Sequence, residues 1–128
     1  MKRVTGIGGI FFKAREAAGL RAWYERHLGL KIEDYGGTYF KWRDADNPER
    51  EGSTSWSIFK PDTTYFGPGE QTFMVNYRVA DLDALLEELR REGVPVEEKI
   101  EECEYGRFAW VTDPEGNRIE LWEPAANS

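Results

Sequence analysis

The fold is decided by residues 75–94, VNYRVADLDALLEELRREGV, in which a strand pattern is followed directly by a helix pattern. The first five residues alternate in the way that is typical of a strand with one covered face. From residue 82 onward the apolar positions take helical spacing, and leucines line one face: Leu82, Leu85, Leu86 and Leu89. Asp81 is predicted to cap the start of this helix, and Gly93 is predicted to end it.

The same order of patterns occurs about 65 residues earlier, in residues 9–30, GIFFKAREAAGLRAWYERHLGL. This stretch also begins as a strand and continues as a helix, and its apolar face is formed by Leu20, Trp23, Tyr24 and Leu28. A Tyr-Gly pair and an aromatic strand follow each helix, at 35–42 and at 105–110. The chain is therefore predicted to contain two copies of one strand–helix–strands unit, with the functional site in the cleft between them.

The remaining elements follow from turn residues and alternation. Strands are predicted at 4–13, 38–43, 53–60, 72–79, about 106–112 and 118–123. Residues 44–52 are predicted to form an exposed hairpin loop, and DPEGN at 113–117 a tight turn. Each module is then one strand, one helix and two or three further strands, which makes the fold class α+β with mixed sheets. Module 1 spans about 4–65, the linker about 66–71 and module 2 about 72–124, within a single domain of residues 1–128.

The composition is that of an acidic globular protein. Of the 128 residues 32% are charged and 40% hydrophobic, the net charge is −7 and the pI is near 4.8. This charge predicts that the protein binds neither nucleic acid nor anionic membrane surfaces, and no stretch has the apolar length of a membrane span. The N-terminus lacks the apolar run of a signal peptide, and the single cysteine, Cys103, excludes an internal disulfide. A cytoplasmic protein with an inert Cys103 is expected.

Three motifs, spread over nearly the whole chain, resemble one superfamily. They are Trp23-Tyr24 followed by Leu28-Gly29-Leu30, then NYRVADLD at 76–83, and then DPEGNRIELW at 113–122. Together they resemble the vicinal oxygen chelate superfamily, which contains glyoxalase I, extradiol dioxygenases and bleomycin-resistance proteins. The resemblance implies two tandem βαβββ modules that form a cup-shaped mixed sheet with the helices outside, commonly in homodimers.

The superfamily's enzymes usually hold a metal ion in the cup, with His and Glu ligands on the first strand and a late strand of each module. Carried over by position, only Glu120 matches this pattern. The other positions are Gly8 or Gly9, the stretch SWSIF at 55–59, and Met74, none of which offers a carboxylate or imidazole. The only histidine, His27, ends the first helix and is interpreted as a capping or surface residue. We therefore expect no metal ion and no cofactor.

Alternation along the strands predicts which side chains line the cup. If Glu120 faces the cup, the second module contributes five such side chains: Asn76, Arg78, Arg118, Glu120 and Trp122. The first module is expected to add three aromatic ones: Phe11, Trp42 and Trp56. These residues predict a pocket with aromatic walls and a few polar groups that orient a ligand.

The roles of the polar residues leave alternatives open. Arg78 could bind a carboxylate or another anion, and a desolvated Glu120 could act as a base. Alternatively, Arg78 or Arg118 forms a structural ion pair with Glu120, and the tryptophans belong to the core. The Tyr65-Phe66 pair before the linker is interpreted as inter-module packing, with an aromatic lid as the alternative.

Three functions are consistent with these residues. The leading hypothesis is a metal-independent protein that binds a small aromatic or anionic organic ligand in the cup. The alternative is an enzyme, either a glyoxalase-type lyase or isomerase or a dioxygenase, that uses Glu120 as base or metal ligand. The third is a structural or regulatory dimer with an empty cup. The sequence leaves open whether any reaction is catalysed.

Overall fold

The computed structural model of the protein describes residues 3–126 and consists of one mixed sheet with two helices. In chain order the elements are β1 (Val4–Lys13), α1 (Ala17–Leu28), β2 (Gly37–Arg43), β3 (Glu51–Phe59), β4 (Phe73–Val79), α2 (Leu82–Arg91), β5 (Glu101–Cys103), β6 (Gly106–Thr112) and β7 (Arg118–Pro124). The seven strands lie in the order β2-β3-β1-β4-β7-β6-β5. The predicted α+β class and the positions of the two helices and six of the strands are confirmed.

The internal repeat is visible in the pairing of the strands. In each module the last strand lies parallel to the first, β3 beside β1 and β7 beside β4. The strand before it pairs antiparallel with it, β2 with β3 and β6 with β7. The modules join through the antiparallel pair β1–β4, so that one sheet runs through both.

Among the described residues, the first module differs from the implied βαβββ order because only two strands follow its helix. The chain returns from α1 to β2 through a tight turn, in which the Gly36 N–H donates to Glu33 and the Glu33 N–H donates to Gly37. Gly36 has a φ of 96°, which favours glycine. The connection, residues 29–36, is shorter than the corresponding stretch 92–105 of the second module, which contains β5, a three-residue edge strand that was not predicted.

The two helices pack very differently. The Asp81 side chain caps α2 by accepting from the Ala84 N–H, as predicted. The leucines of α2 are buried against Val79, Ala109, Val111 and Leu121. No residue of α1 is fully buried, and its aromatic contact with the sheet is Tyr24 against Phe12 and Trp56. Helix α2 therefore organises the core of its module, whereas α1 covers its part of the sheet loosely. No helix within residues 3–126 is long and apolar enough to cross a membrane.

On the side of the sheet that carries the helices, an apolar stripe runs along β1 and β4, between α1 and α2. It consists of four facing pairs from β1 and β4, here called the central seam: Val4/Val79, Ile7/Tyr77, Ile10/Val75 and Phe12/Phe73. Residues that face each other across antiparallel strands share one side of the sheet. Four members of the seam are large exposed hydrophobic residues: Val4, Ile7, Ile10 and Phe73.

The predicted turn at 113–117 is confirmed and leads directly into β7. One carboxylate oxygen of Asp113 accepts from the backbone N–H groups of Glu115 and Asn117, and Gly116 has a φ of 85°. This turn sets where β7 begins, and thereby which of its side chains face the cup.

The difference between the helices predicts different costs for the same substitution. Leu86 of α2 is 1% exposed and Leu28 of α1 is 60% exposed. We expect Leu86→Ala to lower the free energy of unfolding by about 2–5 kcal/mol, because it leaves a cavity in the core. Leu28→Ala should change it by no more than about 0.5 kcal/mol. Urea denaturation measures both values, and similar losses for the two variants would contradict this description of the core.

Candidate functional site

A single row of residues crosses the concave face of the sheet at the level of Glu120. Strand register aligns Ser55 of β3 with Gly9 of β1, Gly9 with Asn76 of β4, and Asn76 with Glu120 of β7, which faces Trp110 of β6. We call these five residues the cup row. The position opposite Glu120 on β4 is therefore Asn76 and not Met74, to which the family pattern had been carried.

Glu120 is the centre of a buried hydrogen-bond network. Its side chain is 1% exposed and accepts three hydrogen bonds. The donors are Asn76 Nδ2 at 2.6 Å, Trp110 Nε1 at 3.0 Å and the hydroxyl of Tyr65. These groups come from β4, β6 and the segment that connects the two modules, so Glu120 joins three separate parts of the chain.

Burial shifts the pKa values of the two ionisable groups in this network, Glu120 and Tyr65. Desolvation raises the pKa of Glu120, and the hydrogen bonds from Tyr65, Asn76 and Trp110 offset part of that rise. Desolvation, followed by the charge of Glu120, also raises the pKa of Tyr65. Tyr65 therefore keeps its proton at neutral pH and remains a donor to Glu120.

The Tyr65-Phe66 pair fills the cup floor beside this network. Phe66 is fully buried with Met74 and Trp110, and Tyr65 stacks on Phe59 of β3 with ring centroids 5.6 Å apart. Inter-module packing, rather than an open lid, is thus what the structure shows for this pair. Sequence reasoning missed Tyr65 as the partner of Glu120, because no local pattern relates residues 55 positions apart.

Arg118 lies beside Trp110 on the cup side of β7, and its ion pair is with Glu97. Its Nε and Nη2 donate to the two carboxylate oxygens of Glu97, each at 2.8 Å. Its Nη1 donates to the backbone oxygen of Tyr65, and its guanidinium lies 4.8 Å from the Trp110 ring. The observed contacts of Arg118 are with Glu97, Tyr65 and Trp110, and its role in ligand binding stays a prediction.

Arg78 lies between two tryptophans. Its guanidinium carbon is 4.8 Å from the centre of the Trp122 ring and 5.4 Å from that of Trp42. Its Nη1 donates to the backbone oxygen of Ser53 at 3.4 Å. Burial lowers the pKa of Arg78 from its ordinary value. Three of the predicted residues thus meet as one stacked group, here called the Arg78 stack.

The position of Trp42 in this stack depends on two glycines and a threonine. A Cβ at Gly6 or at Gly52 would come within 2.7 Å or 2.4 Å of the Trp42 ring. The Trp42 Nε1 donates to the Thr54 hydroxyl, which in turn donates to the backbone oxygen of Ile7. The ring is therefore held in one orientation before any ligand arrives.

A cleft of about 350 Å³ opens beside the Arg78 stack. Its lining includes Trp42 and Arg78 from the stack, and the charged residues around them are Asp44, Arg50, Glu51 and Glu123. The volume lies within the range of small-molecule sites, about 300–1,000 Å³. The cleft could therefore hold a small organic molecule next to the guanidinium.

Two predicted aromatic residues are not part of this cleft. Trp56 aligns with Ile10, on the helix side, and packs on Phe12 and Tyr24 with centroids 5.3 Å and 4.9 Å away. Its predicted place in the cup is wrong, because strand register puts its side chain on the other face. Phe11 does lie in the cup, where its ring packs on Phe59.

Metal ligands are not gathered anywhere in the described part of the chain. Within residues 3–126 no three His, Cys, Asp or Glu side chains lie close enough together to hold a metal ion. His27 lies in the last turn of α1, with its ring 5.1 Å from that of Trp23. The polar groups that meet Glu120 in the cup are hydrogen-bond donors.

The chain belongs to the glyoxalase/bleomycin resistance protein/dioxygenase superfamily, whose model matches residues 10–121. Solved structures share the fold. Methylmalonyl-CoA epimerase from Mycobacterium tuberculosis is 24% identical with a TM-score of 0.65, covering 99% of this chain and 93% of its own. A Streptomyces coelicolor methylmalonyl-CoA epimerase in complex with 2-nitronate-propionyl-CoA is 18% identical with a TM-score of 0.67, covering 96% and 99%.

A superfamily member from Vibrio splendidus 12B01 is 11% identical, with a TM-score of 0.59, and covers 91% of this chain and 97% of its own. No curated protein matches the chain significantly. Identities below 25% establish the shared fold, and function has to be argued from the site.

The raised pKa of Glu120 predicts a pH dependence of stability. Between the ordinary glutamate pKa of 4.5 and the raised value, the folded protein keeps a proton that the unfolded chain releases. The free energy of unfolding should therefore fall as pH rises through this window, and Glu120→Gln should remove that contribution to the slope. Urea denaturation across the window measures it.

The control is Glu115→Gln, which changes an exposed carboxylate in the 113–117 turn and should keep the wild-type slope. A slope that Glu120→Gln leaves unchanged would show that Glu120 is ionised throughout the window, against the expectation.

Proposed function

We propose that the chain acts as a single domain that binds a small organic anion in the cleft beside the Arg78 stack, without a metal ion. One observation supports this most directly, namely the guanidinium of Arg78 stacked between the rings of Trp42 and Trp122. Cation–π contacts with both indole rings hold the guanidinium beside the cleft, where it could donate hydrogen bonds to a carboxylate. The proposed ligand is therefore an organic anion with a flat, apolar body.

The electrostatics of the cleft favour such a ligand. Burial lowers the pKa of Arg78, which means that removal from water disfavours its charged form. A bound anion would stabilise that charge at short range and in a partly dry environment. The carboxylates of Asp44, Glu51 and Glu123 around the cleft would repel a multiply charged ligand. We therefore propose a ligand with one negative charge.

Binding is tested with matched probes, read by quenching of tryptophan fluorescence. 1-Naphthoate should bind more tightly than cyclohexanecarboxylate, which lacks the aromatic ring, and than 1-naphthalenemethanol, which lacks the charge. Arg78→Met should raise the Kd for 1-naphthoate at least about 30-fold, since loss of a buried charge partner costs about 2 kcal/mol or more. Arg91→Met, on an exposed side chain of α2 that pairs with Glu88 away from the cleft, is the control and should leave the Kd unchanged. Equal affinity in both variants, with folding verified by circular dichroism, would refute the proposal.

A second candidate function is proton transfer by Glu120, as in a lyase, isomerase or dioxygenase of the glyoxalase type. Two observations favour it. Glu120 is a buried carboxylate whose pKa is raised by desolvation, and a higher pKa makes a carboxylate a stronger base. Two of the structural relatives are methylmalonyl-CoA epimerases, one of them in complex with a CoA ester. A CoA thioester with an acidic α-carbon is then the substrate class.

This candidate predicts exchange of the α-proton in deuterated water, followed by proton NMR of methylmalonyl-CoA. Glu120→Gln should slow the exchange at least about 100-fold, the usual contribution of a general base. Arg91→Met should leave the rate unchanged. If the wild-type protein exchanges no faster than buffer, this candidate is abandoned and anion binding remains.

We also propose that the protein is a homodimer in the cytoplasm. The exposed central seam supports self-association, because all eight of its side chains are apolar or aromatic and none is charged. Like-charge repulsion between copies of an acidic chain would be smallest across such a surface. An exposed, unpaired Cys103 is in keeping with a reducing compartment.

The dimer is tested by light scattering coupled to size-exclusion chromatography. The wild-type protein should have twice the 14.8 kDa mass of the chain. Ile10→Lys places a charge in the seam and should yield monomers, because burying an unpaired charge costs more than the contact stabilises. Tyr39→Lys, at an exposed aromatic position of β2 outside the seam, should remain dimeric. A monomeric wild-type protein would end this proposal.

A further inference from the structure

The cup row contains Glu120, the one residue that matches the metal-ligand pattern of the superfamily's enzymes, yet the groups around it in this chain are different. We infer that Glu120 is a hydrogen-bond hub which ties Tyr65 of the inter-module segment to β4 and β6, and that this hub is closed to divalent metal ions. The inference deepens one part of the proposed function, its independence of a metal ion. Anion binding at Arg78 does not involve the Glu120 oxygens and is tested separately.

The first argument is the chemistry of the donors. Both carboxylate oxygens of Glu120 already receive hydrogens, one from Asn76 Nδ2 and the other from Tyr65 and Trp110. A cation needs lone pairs that converge on one point, whereas these groups direct positively polarised hydrogens at the carboxylate. The indole of Trp110 can only donate, so this part of the shell cannot be turned into a ligand.

The second argument is the orientation of the Asn76 amide. Its Nδ2 faces Glu120, while its Oδ1 is buried without a hydrogen-bond partner and lies against Gly8. A metal between Asn76 and Glu120 would need the amide turned so that the oxygen faces the carboxylate. That rotation would lose the 2.6 Å hydrogen bond to Glu120. The observed amide therefore fits a hub and does not fit a metal site.

The third argument is that the first module leaves little space for a metal ligand beside the cup row. A Cβ at Gly9 would lie 2.6 Å from the Phe11 ring, and a Cβ at Gly8 would lie 2.1 Å from Asn76 Oδ1 and 2.9 Å from Trp122. The ligand positions of β1 are thus covered by neighbouring side chains. On β3 the cup row offers only the hydroxyl of Ser55, a weaker ligand than an imidazole or carboxylate.

Instead of coordinating a metal ion, the hub holds the inter-module segment in place. Tyr65 is fixed at both ends, because its hydroxyl donates to Glu120 and its backbone oxygen accepts from Arg118. Arg118 is in turn held by Glu97 and by Gln71, whose side-chain oxygen accepts from the Arg118 N–H. Glu120 thereby anchors the inter-module segment.

The inference is tested on the full-length wild-type protein with Mn²⁺, Zn²⁺, Ni²⁺ and Co²⁺. The indole N–H signal of Trp110 reports on the hub in nitrogen-15 NMR, and that of the exposed Trp23 on α1 is the matched control. One equivalent of paramagnetic Mn²⁺ should leave both signals equally intense. None of the other ions should raise the melting temperature after removal of adventitious metal with a chelator.

Selective loss of the Trp110 signal would overturn the inference, as would a rise in melting temperature that Glu120→Gln abolishes. An ion that binds without either effect lies at other carboxylates and leaves the hub as described. The metal test measures the Trp110 indole signal, whereas anion binding is measured by the Kd for 1-naphthoate and its change in Arg78→Met. Failure of one proposal is therefore distinguishable from failure of the other.

Discussion

The structure depends on the burial of one carboxylate. A glutamate taken out of water loses its hydration, and the protein has to replace it with donors or leave a group that costs several kcal/mol. Glu120 receives three donors, and hydrogen bonds to a charged group contribute about 1.5–3 kcal/mol each. Because the donors come from β4, β6 and the inter-module segment, satisfying Glu120 also sets how these parts meet.

This constraint divides the cup into two halves with different properties. Around Glu120 the space is filled by the chain's own Phe66, Met74 and Trp110, so that half behaves as a core. Around Arg78 the side chains leave a cleft, which is lined by Trp42 and by charged residues. The superfamily's fold is retained, and Arg78, two residues along β4 from Asn76, brings a positive charge to this cleft.

Much of this arrangement could be predicted, because faces and turns are local properties. Alternation placed Asn76 and Arg78 on one face of β4 and Glu120 and Trp122 on one face of β7, and strand pairing brings these faces together. Trp56 was placed in the wrong layer because its face depends on the register with β1, which no local pattern in β3 reveals. The extra strand β5 was missed because three exposed residues carry too little pattern to be distinguished from a loop.

By itself, the sequence determined the repeat, the two helices, the Asp81 cap, the turn at 113–117 and the side chains of β4 and β7 that face the cup. These follow from periodicity and from the backbone preferences of residues such as Asp81 and Gly116, which act within a few positions of the chain. Only the tertiary structure decided which cup residues meet. It paired Arg118 with Glu97 and gave Glu120 the Tyr65 hydroxyl, because such contacts depend on strand register and on the path of the inter-module segment.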